Sequence, residues 1–404
     1  MRLALRLARR GYRMTSPNPM VGAVLVRGGK IIGRGWHRRA GLPHAEIEAL
    51  RDAQQRGHNP KGSTLYVTLE PCSTHGRTPP CTDAIIAARI KRVVVGAVDP
   101  NPKHAGKGFK ILQRAGMVVT SLSKGRARSP LRAAAGQGSE RRAGDCAPYQ
   151  PLADECVRLN EAFNHWIVHR TPFVTVKAAM TLDCKIATAS GESKWITGEK
   201  ARAYGMKLRQ GSDAVLVGIN TILADNPDLT FRPVHNLRLR RIVLDSLART
   251  PLNAKVVRDK FTGQTTIVVG RRAPKKRVAA LAKRVNVIVA PMAKAGRAVP
   301  CPPRRARSDA PYQQIDLRWL MRKLAAENVT SLLVEGGGEV NASFLLGGLA
   351  RRVAFFYAPK ILGGRDSRKA VAGEGAKSLA DALPLRDVEW KRLGPDLLLT
   401  ARVA

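Results

Sequence analysis

One histidine, one glutamate and two cysteines have the types and spacing needed to bind a metal ion and to use it. They occur in "LPHAEIEAL" at 42–50 and in "LEPCSTHGRTPPC" at 69–81. His44, Cys72 and Cys81 offer one imidazole and two thiolates, which suit a tetrahedral zinc ion with one position left open for water. Zinc lowers the pKa of such a water to about 7. Glu46, two residues after His44, could take its proton and return it to a leaving amine.

A zinc ion with a purely structural role is the alternative, and it would need a fourth protein ligand. His75 is the only nearby candidate in the sequence. The order His-x-Glu, then Pro-Cys, then Cys is the signature of zinc-dependent nucleobase deaminases. A proline precedes each metal ligand and fixes the backbone there: Pro43, Pro71 and Pro80. We therefore expect a catalytic deaminase centre.

The elements that must position these residues alternate between strand and helix over residues 1–125, which predicts an α/β layered domain. The opening residues, 2–11, are basic and amphipathic, as in a transit peptide, but their apolar positions favour a structural helix. The predicted strands are 21–26, 30–36, 63–70 and 92–98, and the predicted helices after 2–11 are 44–55 and 82–89, followed by a helix–strand unit near 109–122.

A second α/β series follows a basic segment. Residues 126–151 are rich in Arg, Ala, Gly, Ser and Pro and predict a flexible insert or linker. One helix is predicted over 154–170. Strands are predicted near 173–180, 214–218, 241–245, 265–269, 331–335 and 353–358. We expect a deaminase domain at 1–125, a basic insert at 126–155 and a second domain at 156–404.

The composition narrows the classes of partner. Seventy Lys and Arg stand against thirty Asp and Glu, a formal net charge of +40, which attracts polyanions. The basic residues are spread along the chain, and aromatic residues reach only 5%, which does not favour a groove for single-stranded nucleic acid. Six cysteines are too few for a disulfide scaffold and favour a reducing, cytoplasmic setting. No apolar run is long enough to span a membrane.

Four motifs resemble the bifunctional riboflavin-biosynthesis deaminase–reductase family. They are "SPNPMVG" at 16–22, "PHAE" at 43–46, "PCSTHGRTPPC" at 71–81 and "DPNPKHAGKG" at 99–108. Eight residues separate the two cysteines, whereas common nucleoside and tRNA deaminases have Cys-x-x-Cys. The resemblance implies a cytidine-deaminase-like three-layer αβα domain followed by a dihydrofolate-reductase-like α/β domain. It also implies Zn²⁺ and NADPH as cofactors and a homo-oligomer.

The implied activities are those of a zinc-dependent aminohydrolase and an NADPH-dependent oxidoreductase. The first would deaminate 2,5-diamino-6-(5-phosphoribosylamino)pyrimidin-4-one. The second would reduce the ribose of 5-amino-6-(5-phosphoribosylamino)uracil to ribityl. In the first domain the resemblance implies that Asn18 and His37 contact the base or ribose and that Arg77 contacts the phosphate end. Without it, His37 would be read as a surface histidine in a turn.

Two residues of the first domain depart from the family pattern. Ser16 and Thr74 stand where the family usually has histidine. Family members hold substrate with the loop that contains residue 74, so substrate affinity is the property that these departures would affect.

The second domain carries three family blocks, at 175–197, 218–232 and 334–344. In the last block, glycines after an apolar strand and before a helix suit a phosphate, because backbone N–H groups can approach it closely. The implied substrate contacts are Lys177, Ser193, Arg209, Leu229, Arg232 and Glu335. The implied cofactor contacts are Ala179, Trp195, Thr221, Asp225, Ser246, Gly337, Gly338, Glu339, Val340, Asn341, Ala342 and Ser343.

One departure in this domain leaves a weaker reductase open as an alternative. Cys184 stands where the family usually has glycine after Asp183, in a tight turn. A deaminase with an impaired reductase domain is therefore one alternative. A nucleic-acid-binding editing deaminase is another, and it is disfavoured by the cysteine spacing and by the second domain.

Overall fold

The chain folds as two units, Met1–His169 and Arg170–Ala404. This computed structural model describes residues 1–75, 79–102, 104–122, 150–231, 239–291 and 315–404. Within these ranges, no helix has the length and apolar character needed to cross a membrane. The predicted insert at 126–151 lies outside the described residues except for its last two positions, which begin a helix.

The first unit is a five-stranded sheet with helices packed against it. Its helices are α1 (Arg2–Ala8), α2 (Ala45–Gln55), α3 (Cys81–Ala87), α4 (Lys107–Arg114), α5 (Gln150–Leu159) and α6 (Glu161–His169), with a 3₁₀ turn at Arg9–Gly11. Its strands are β1 (Gly22–Arg27), β2 (Lys30–Trp36), β3 (Thr64–Leu69), β4 (Arg92–Ala97) and β5 (Val118–Ser121). The strand order is β2-β1-β3-β4-β5. Since β3, β4 and β5 are parallel, the loops that follow β3 and β4 leave the same edge of the sheet.

A glycine in β2 allows α2 to pack directly on the sheet. A Cβ at Gly35 would lie 2.2 Å from the carbonyl oxygen of Ala45, so no larger residue fits there. The apolar face of α2 is alanine-rich, with Ala45, Ala49 and Ala53 fully buried. This close packing fixes the first turn of α2, where His44 and Glu46 lie.

The single helix predicted over 154–170 is wrong, because the structure has two helices, α5 and α6, separated at Asn160. The Asn160 amide donates to the carbonyl of Met20 at 2.9 Å, and its side-chain oxygen accepts the Met20 N–H at 2.8 Å. This pairing joins residues 140 positions apart, so no local periodicity could have indicated it.

Both helices group with the first unit, whereas the predicted second domain starts at residue 156. Cys156 is buried in the core of the first unit. It lies so close to β4 that a Cβ at Gly96 would come within 2.4 Å of its sulfur.

The second unit is built on a nine-stranded sheet of order β11-β10-β9-β8-β12-β6-β13-β16-β15. The strands of this unit are β6 (Phe173–Thr181), β7 (Lys185–Ala187), β8 (Ala214–Gly218), β9 (Arg240–Leu244), β10 (Thr265–Gly270), β11 (Asn286–Ala290), β12 (Ser331–Val334), β13 (Ala350–Ala358), β14 (Arg368–Lys369), β15 (Leu385–Leu393) and β16 (Asp396–Val403). Strands β7 and β14 pair with each other outside the nine-stranded sheet. Its helices are α7 (Glu199–Gln210), α8 (Ile219–Asp225), α9 (Lys275–Ala282), α10 (Leu317–Ala326) and α11 (Gly338–Leu346). Short 3₁₀ turns occupy Lys255–Val257, Thr262–Gln264 and Leu379–Asp381.

The first seven strands in that order are parallel, and β16 and β15 run antiparallel at one edge. Every residue of β8 and β10 is buried, as expected for parallel strands covered on both faces. The six strands predicted for this unit are all present. Strand β15 was not predicted because eight of its nine residues are exposed and form no apolar run.

Candidate active sites

The three predicted metal ligands meet at one point of the first unit. His44 caps the N-terminus of α2, Cys72 follows β3, and Cys81 begins α3. The Nδ1 atom of His44 lies 3.5 Å from Sγ of Cys72 and 3.3 Å from Sγ of Cys81. The three donor atoms all lie within 4.8 Å of one another. One imidazole and two sulfurs at this spacing fit a zinc ion with an open coordination position.

The two thiols of this centre also contact each other and the backbone. The Cys81 thiol, the Cys81 N–H and the His44 ring together lower the pKa of the Cys72 thiol. The backbone N–H of Cys81 points at the Cys72 sulfur at 3.3 Å. The same shared contact with Cys72, together with burial, raises the pKa of the Cys81 thiol. His75, the alternative fourth ligand, is exposed and is not part of the cluster.

Glu46 lies beside the metal ligands without being one of them. Its side chain is almost completely buried. Burial raises the pKa of its carboxyl to about 7, and the nearby His44 ring opposes that rise. The carboxyl also contacts the Cys81 thiol. A carboxyl with a pKa near neutrality can both accept and donate a proton, as general acid–base chemistry requires.

Two of the metal ligands, His44 and Cys72, line a cavity of about 320 Å³ together with Glu46. Asn18 and His37 line it as well, and His37 is buried rather than at the surface. Nδ1 of His37 lies 3.1 Å from the carbonyl oxygen of Pro43, to which it donates, so Nε2 accepts from the Asn18 amide at 3.2 Å. Burial lowers the pKa of His37. Part of the wall comes from α6, through Phe163, Trp166 and Ile167.

The sequence interpretation missed a buried carboxylate that shapes this cavity. Glu70, at the end of β3, accepts the backbone N–H groups of Asp99 at 3.2 Å, Gly106 at 3.0 Å and Gly108 at 3.0 Å. It therefore holds both ends of the loop that follows β4. A Cβ at Gly108 would lie 2.5 Å from the carbonyl oxygen of Pro71, so the loop approaches the Cys72 segment closely. The signal was present in the quoted motifs: a glutamate before Pro-Cys, and glycines at 106 and 108.

In the second unit, the predicted substrate residues include a buried ion pair. Arg209 on α7 donates two N–H groups to Glu335, at 2.9 and 2.6 Å, and a third to the carbonyl of Thr230 at 2.9 Å. Burial opposes the charge on Glu335, but Arg209 and Lys177 lower the pKa of its carboxyl to about 2. Lys177 on β6 and Glu335 after β12 lie on adjacent parallel strands.

The predicted cofactor residues gather at the carboxyl ends of neighbouring strands. Thr221 and Asp225 lie on α8 after β8, Ser246 follows β9, and Ala179 is near the end of β6. This edge of a parallel sheet is where such folds bind ligands. Asp225 already contacts two other residues of the region, with Lys194 Nζ at 3.2 Å and the Ser193 hydroxyl at 3.4 Å. Trp195 is 66% exposed, and its ring stacks on Arg202.

The glycine segment 336–338 leads from β12 into α11. Gly337 is the N-cap residue and, having no side chain, provides no side-chain cap for the first N–H groups of the helix. A Cβ at Gly338 would lie 2.4 Å from the carbonyl oxygen of Lys369, while the space beside Gly337 is open. Free N–H groups beside an open surface fit a phosphate group. Further along α11, the side chains of Asn341 and Ala342 are buried, Ser343 bonds to the Glu339 carbonyl, and Val340 packs against Gly336.

For three other predicted substrate residues, the structure shows no side chain that could contact a substrate. The side chain of Leu229 is buried in a hydrophobic cluster of the second unit, so only its backbone could reach a substrate. Arg77 and Arg232 lie outside the described residues.

The turn at Cys184 keeps the conformation expected for glycine. Its φ is +60°, and its N–H donates to the carbonyl of Thr181 at 2.9 Å. Asp183 reinforces the turn by accepting the Thr181 hydroxyl and the N–H groups of Leu362 and Gly363. These hydrogen bonds lower the pKa of Asp183 to about 2.

Two families match the two halves of the chain. Residues 1–97 match the family described as "Cytidine and deoxycytidylate deaminase zinc-binding region". Residues 172–399, more than half of the chain, match the family described as "RibD C-terminal domain". A relative from Actinobacillus pleuropneumoniae, "Riboflavin biosynthesis protein RibD", is 38% identical over 400 residues, which cover 99% of this chain and 93% of the relative. The chain belongs to the RibD family.

Other RibD proteins agree over the whole length. The Escherichia coli K12 relative is 36% identical over 409 residues, covering 98% of this chain and 96% of its own length. A solved structure from Thermotoga maritima is described as a diaminohydroxyphosphoribosylaminopyrimidine deaminase/5-amino-6-(5-phosphoribosylamino)uracil reductase. It is 31% identical with a TM-score of 0.75, and the match covers 100% of this chain and 97% of that one. "Acinetobacter baumannii RibD, form 1" is 31% identical with a TM-score of 0.76 and the same coverage.

Membership of the RibD family confirms the two-part organisation expected from the motifs. The first unit is a cytidine-deaminase-like domain with a His/Cys/Cys zinc site, and the second is the RibD reductase domain. The protein is therefore a bifunctional deaminase and reductase of riboflavin biosynthesis.

Proposed function

We propose that the first unit deaminates 2,5-diamino-6-(5-phosphoribosylamino)pyrimidin-4-one and that the second reduces the ribose of 5-amino-6-(5-phosphoribosylamino)uracil to ribityl. The reactions are consecutive, because the first replaces the exocyclic amine by oxygen and releases ammonia, leaving the uracil that the second consumes. The observation that carries the proposal is the meeting of His44, Cys72 and Cys81 beside buried Glu46, at a cavity of a RibD-family chain that His44, Cys72 and Glu46 line.

The deaminase step assigns a proton path to Glu46. When bound, zinc would lower the pKa of a water molecule at its open position and so supply the nucleophile. Glu46, buried beside the metal ligands, takes the proton of that water and delivers it to the departing amine. Asn18 and His37, already hydrogen-bonded to each other, position the base or ribose. Arg77 binds the phosphate end.

The reductase step centres on Lys177, Arg209 and Glu335. Because Arg209 is held in a bidentate pair with Glu335, we assign it the task of orienting that carboxylate as well as contacting substrate. Lys177 donates a proton or stabilises charge at the opened ribose. Ser193, Arg232 and the backbone of Leu229 complete the substrate contacts.

NADPH is the proposed cofactor of this unit, and when bound it would supply the hydride for C1′ of the ribose. The free N–H groups at the start of α11, Gly337 to Val340, receive its pyrophosphate. Thr221, Asp225, Ser246 and Ala179 line its path along the strand ends, and exposed Trp195 packs against it. Asn341, Ala342 and Ser343 support the helix that makes this contact.

The setting of the enzyme is also a proposal. Two unpaired thiols as metal ligands favour a reducing compartment, and we propose a cytoplasmic enzyme that acts as a homo-oligomer on phosphorylated pyrimidines.

The test is a coupled assay of the zinc-loaded full chain with the diaminopyrimidine phosphate and NADPH. We expect ammonia release first and NADPH oxidation only afterwards. Glu46→Gln should abolish both with this substrate, yet oxidise NADPH normally when the phosphoribosylaminouracil is supplied directly. Absence of ammonia release from the zinc-loaded wild-type chain would overturn the proposal for the first unit.

A further inference from the structure

His104, which the sequence interpretation did not assign to the site, brings a further imidazole to the deaminase cavity. His104 lies in the loop after β4 and lines the cavity together with His44, Cys72 and Glu46. Its Nε2 atom is 3.3 Å from the hydroxyl of Thr74, in the loop after β3. Thr74 is the position where the family that the motifs resemble usually has a histidine. In this chain the imidazole of His104, on the facing loop, contacts that position.

The ring has one polar atom without a partner. Nδ1 of His104 is buried, and no described residue forms a hydrogen bond with it. A buried, unpaired nitrogen is unfavourable by itself, so its persistence is most easily understood if a ligand supplies the missing partner. The other nitrogen, Nε2, contacts the Thr74 hydroxyl, so Nδ1 is the ring nitrogen that is left for a ligand.

Hydrogen bonds to Glu70 anchor the loop that carries His104 at residues before and after it. Glu70 binds the N–H groups of Asp99, Gly106 and Gly108. Within the loop, the N–H of His104 donates to the Asn101 carbonyl at 2.9 Å. Such a fixed loop is suited to hold a substrate group at a defined place.

We propose that His104 is a substrate-contacting residue of the deaminase, replacing the histidine that the family usually has at position 74. Its Nδ1 atom forms a hydrogen bond with a polar group of the pyrimidine nucleotide, and Thr74 orients the ring through Nε2. This inference deepens the proposed deaminase function and rests on it.

The test measures equilibrium binding, so that it does not depend on turnover. In a Glu46→Gln background, which keeps the metal ligands, the dissociation constant of the diaminopyrimidine phosphate is measured by calorimetry on the zinc-loaded full chain. We expect His104→Ala to weaken binding about tenfold, the size expected for one hydrogen bond from a buried group. His104→Asn keeps a polar atom near Nδ1 and should bind more tightly than His104→Gln, which keeps one near Nε2.

The double variant Thr74→His/His104→Ala tests whether His104→Ala weakens binding through loss of an imidazole contact or only through loss of packing. Returning the imidazole to position 74 should recover most of the affinity lost in His104→Ala. Zinc content and reductase activity of each variant report that the chain is folded. The inference is overturned if His104→Ala binds within twofold of the background, or if the Asn and Gln variants and the double variant all bind as weakly as His104→Ala. Failure of the wild-type chain to release ammonia would count against the proposed function instead, because the binding comparison stands without it.

Discussion

The two catalytic regions differ in how much of the site the polypeptide builds by itself. In the first unit, three ligand atoms lie within 4.8 Å and a buried carboxyl stands beside them in a walled cavity. In the second, the charged groups Arg209 and Glu335 neutralise each other, and Trp195 remains 66% exposed beside the strand ends. A metal centre can be preformed by short contacts, whereas a site for a large cofactor stays open because the cofactor supplies part of its wall.

The largest effect should come from removing a metal ligand. We expect His44→Ala to reduce bound zinc to near zero and deamination by roughly 10³-fold or more, since both the nucleophile and its position depend on the metal. Reductase activity, measured with the phosphoribosylaminouracil, should stay within about twofold if the two sites are built independently.

Glu46→Gln is the matched control for that variant, because it should lose deamination by roughly 10²–10⁴-fold while retaining zinc. Elemental analysis of both proteins separates the two causes. Zinc retained at the wild-type level by His44→Ala would contradict the assignment of the ligand.

Glu335→Gln tests how much the buried ion pair contributes to the stability of the second unit. Glu335→Gln leaves the guanidinium of Arg209 buried without its counter-charge, and the unfolding free energy of the second unit should fall by about 3 kcal/mol. Urea unfolding of the full chain, followed by far-ultraviolet circular dichroism, measures it, because Glu335→Gln is expected to lower reductase activity directly. Deamination should be unaffected.

Glu327→Gln provides the comparison for an ion pair of higher exposure. Glu327 pairs with Arg240 and Lys323 but is only partly buried, so its loss should change stability by less than about 1 kcal/mol. Equal losses of unfolding free energy in the two variants would mean that burial does not increase the contribution of the Arg209–Glu335 pair to stability.

The ion pair of Arg209 with Glu335 should also make the pH dependence of the unfolding free energy differ between wild type and Glu335→Gln. The folded pKa of Glu335, about 2, lies below its ordinary value, so the ionised form stabilises the fold above about pH 5. That contribution, at most about 3 kcal/mol, is lost as the pH falls through the folded pKa. Stability measured from pH 5 to pH 2 should therefore fall more steeply for wild type than for the variant, and parallel curves would contradict the assignment.

The smallest expected effect is at Cys184. Because its φ is already positive, Cys184→Gly should relieve strain and raise stability by about 0.5–1 kcal/mol, while Cys184→Ala should not. NADPH turnover should change less than about twofold, since the turn is already formed. A gain of tenfold would instead support the alternative of a reductase impaired by this residue.

The metal centre could be predicted from the sequence because its ligands and Glu46 lie in short, recognisable motifs. His44 and Glu46 lie two residues apart at a helix start, and each cysteine follows a proline, so type and spacing were enough. Most strands were predicted for a similar reason, since buried parallel strands are continuous apolar runs, as in β8. Exposed β15 carries no such signal.

Contacts between distant residues could not be predicted in the same way. The clamp by Glu70 depends on its meeting glycines near position 106, and the pair of Arg209 with Glu335 joins residues 126 positions apart. The break between α5 and α6 depends on Met20. Each is a consequence of packing, which local composition does not encode.

The aromatic and aliphatic side chains of α6 determine where a fragment that contains only the deaminase must end. Phe163, Trp166 and Ile167 close one side of the deaminase cavity although they come after the basic insert in the chain. A fragment ending at residue 125 would leave that side open to water, however well its sheet assembled. An autonomous aminohydrolase cut from this protein should extend to His169, where the first unit ends.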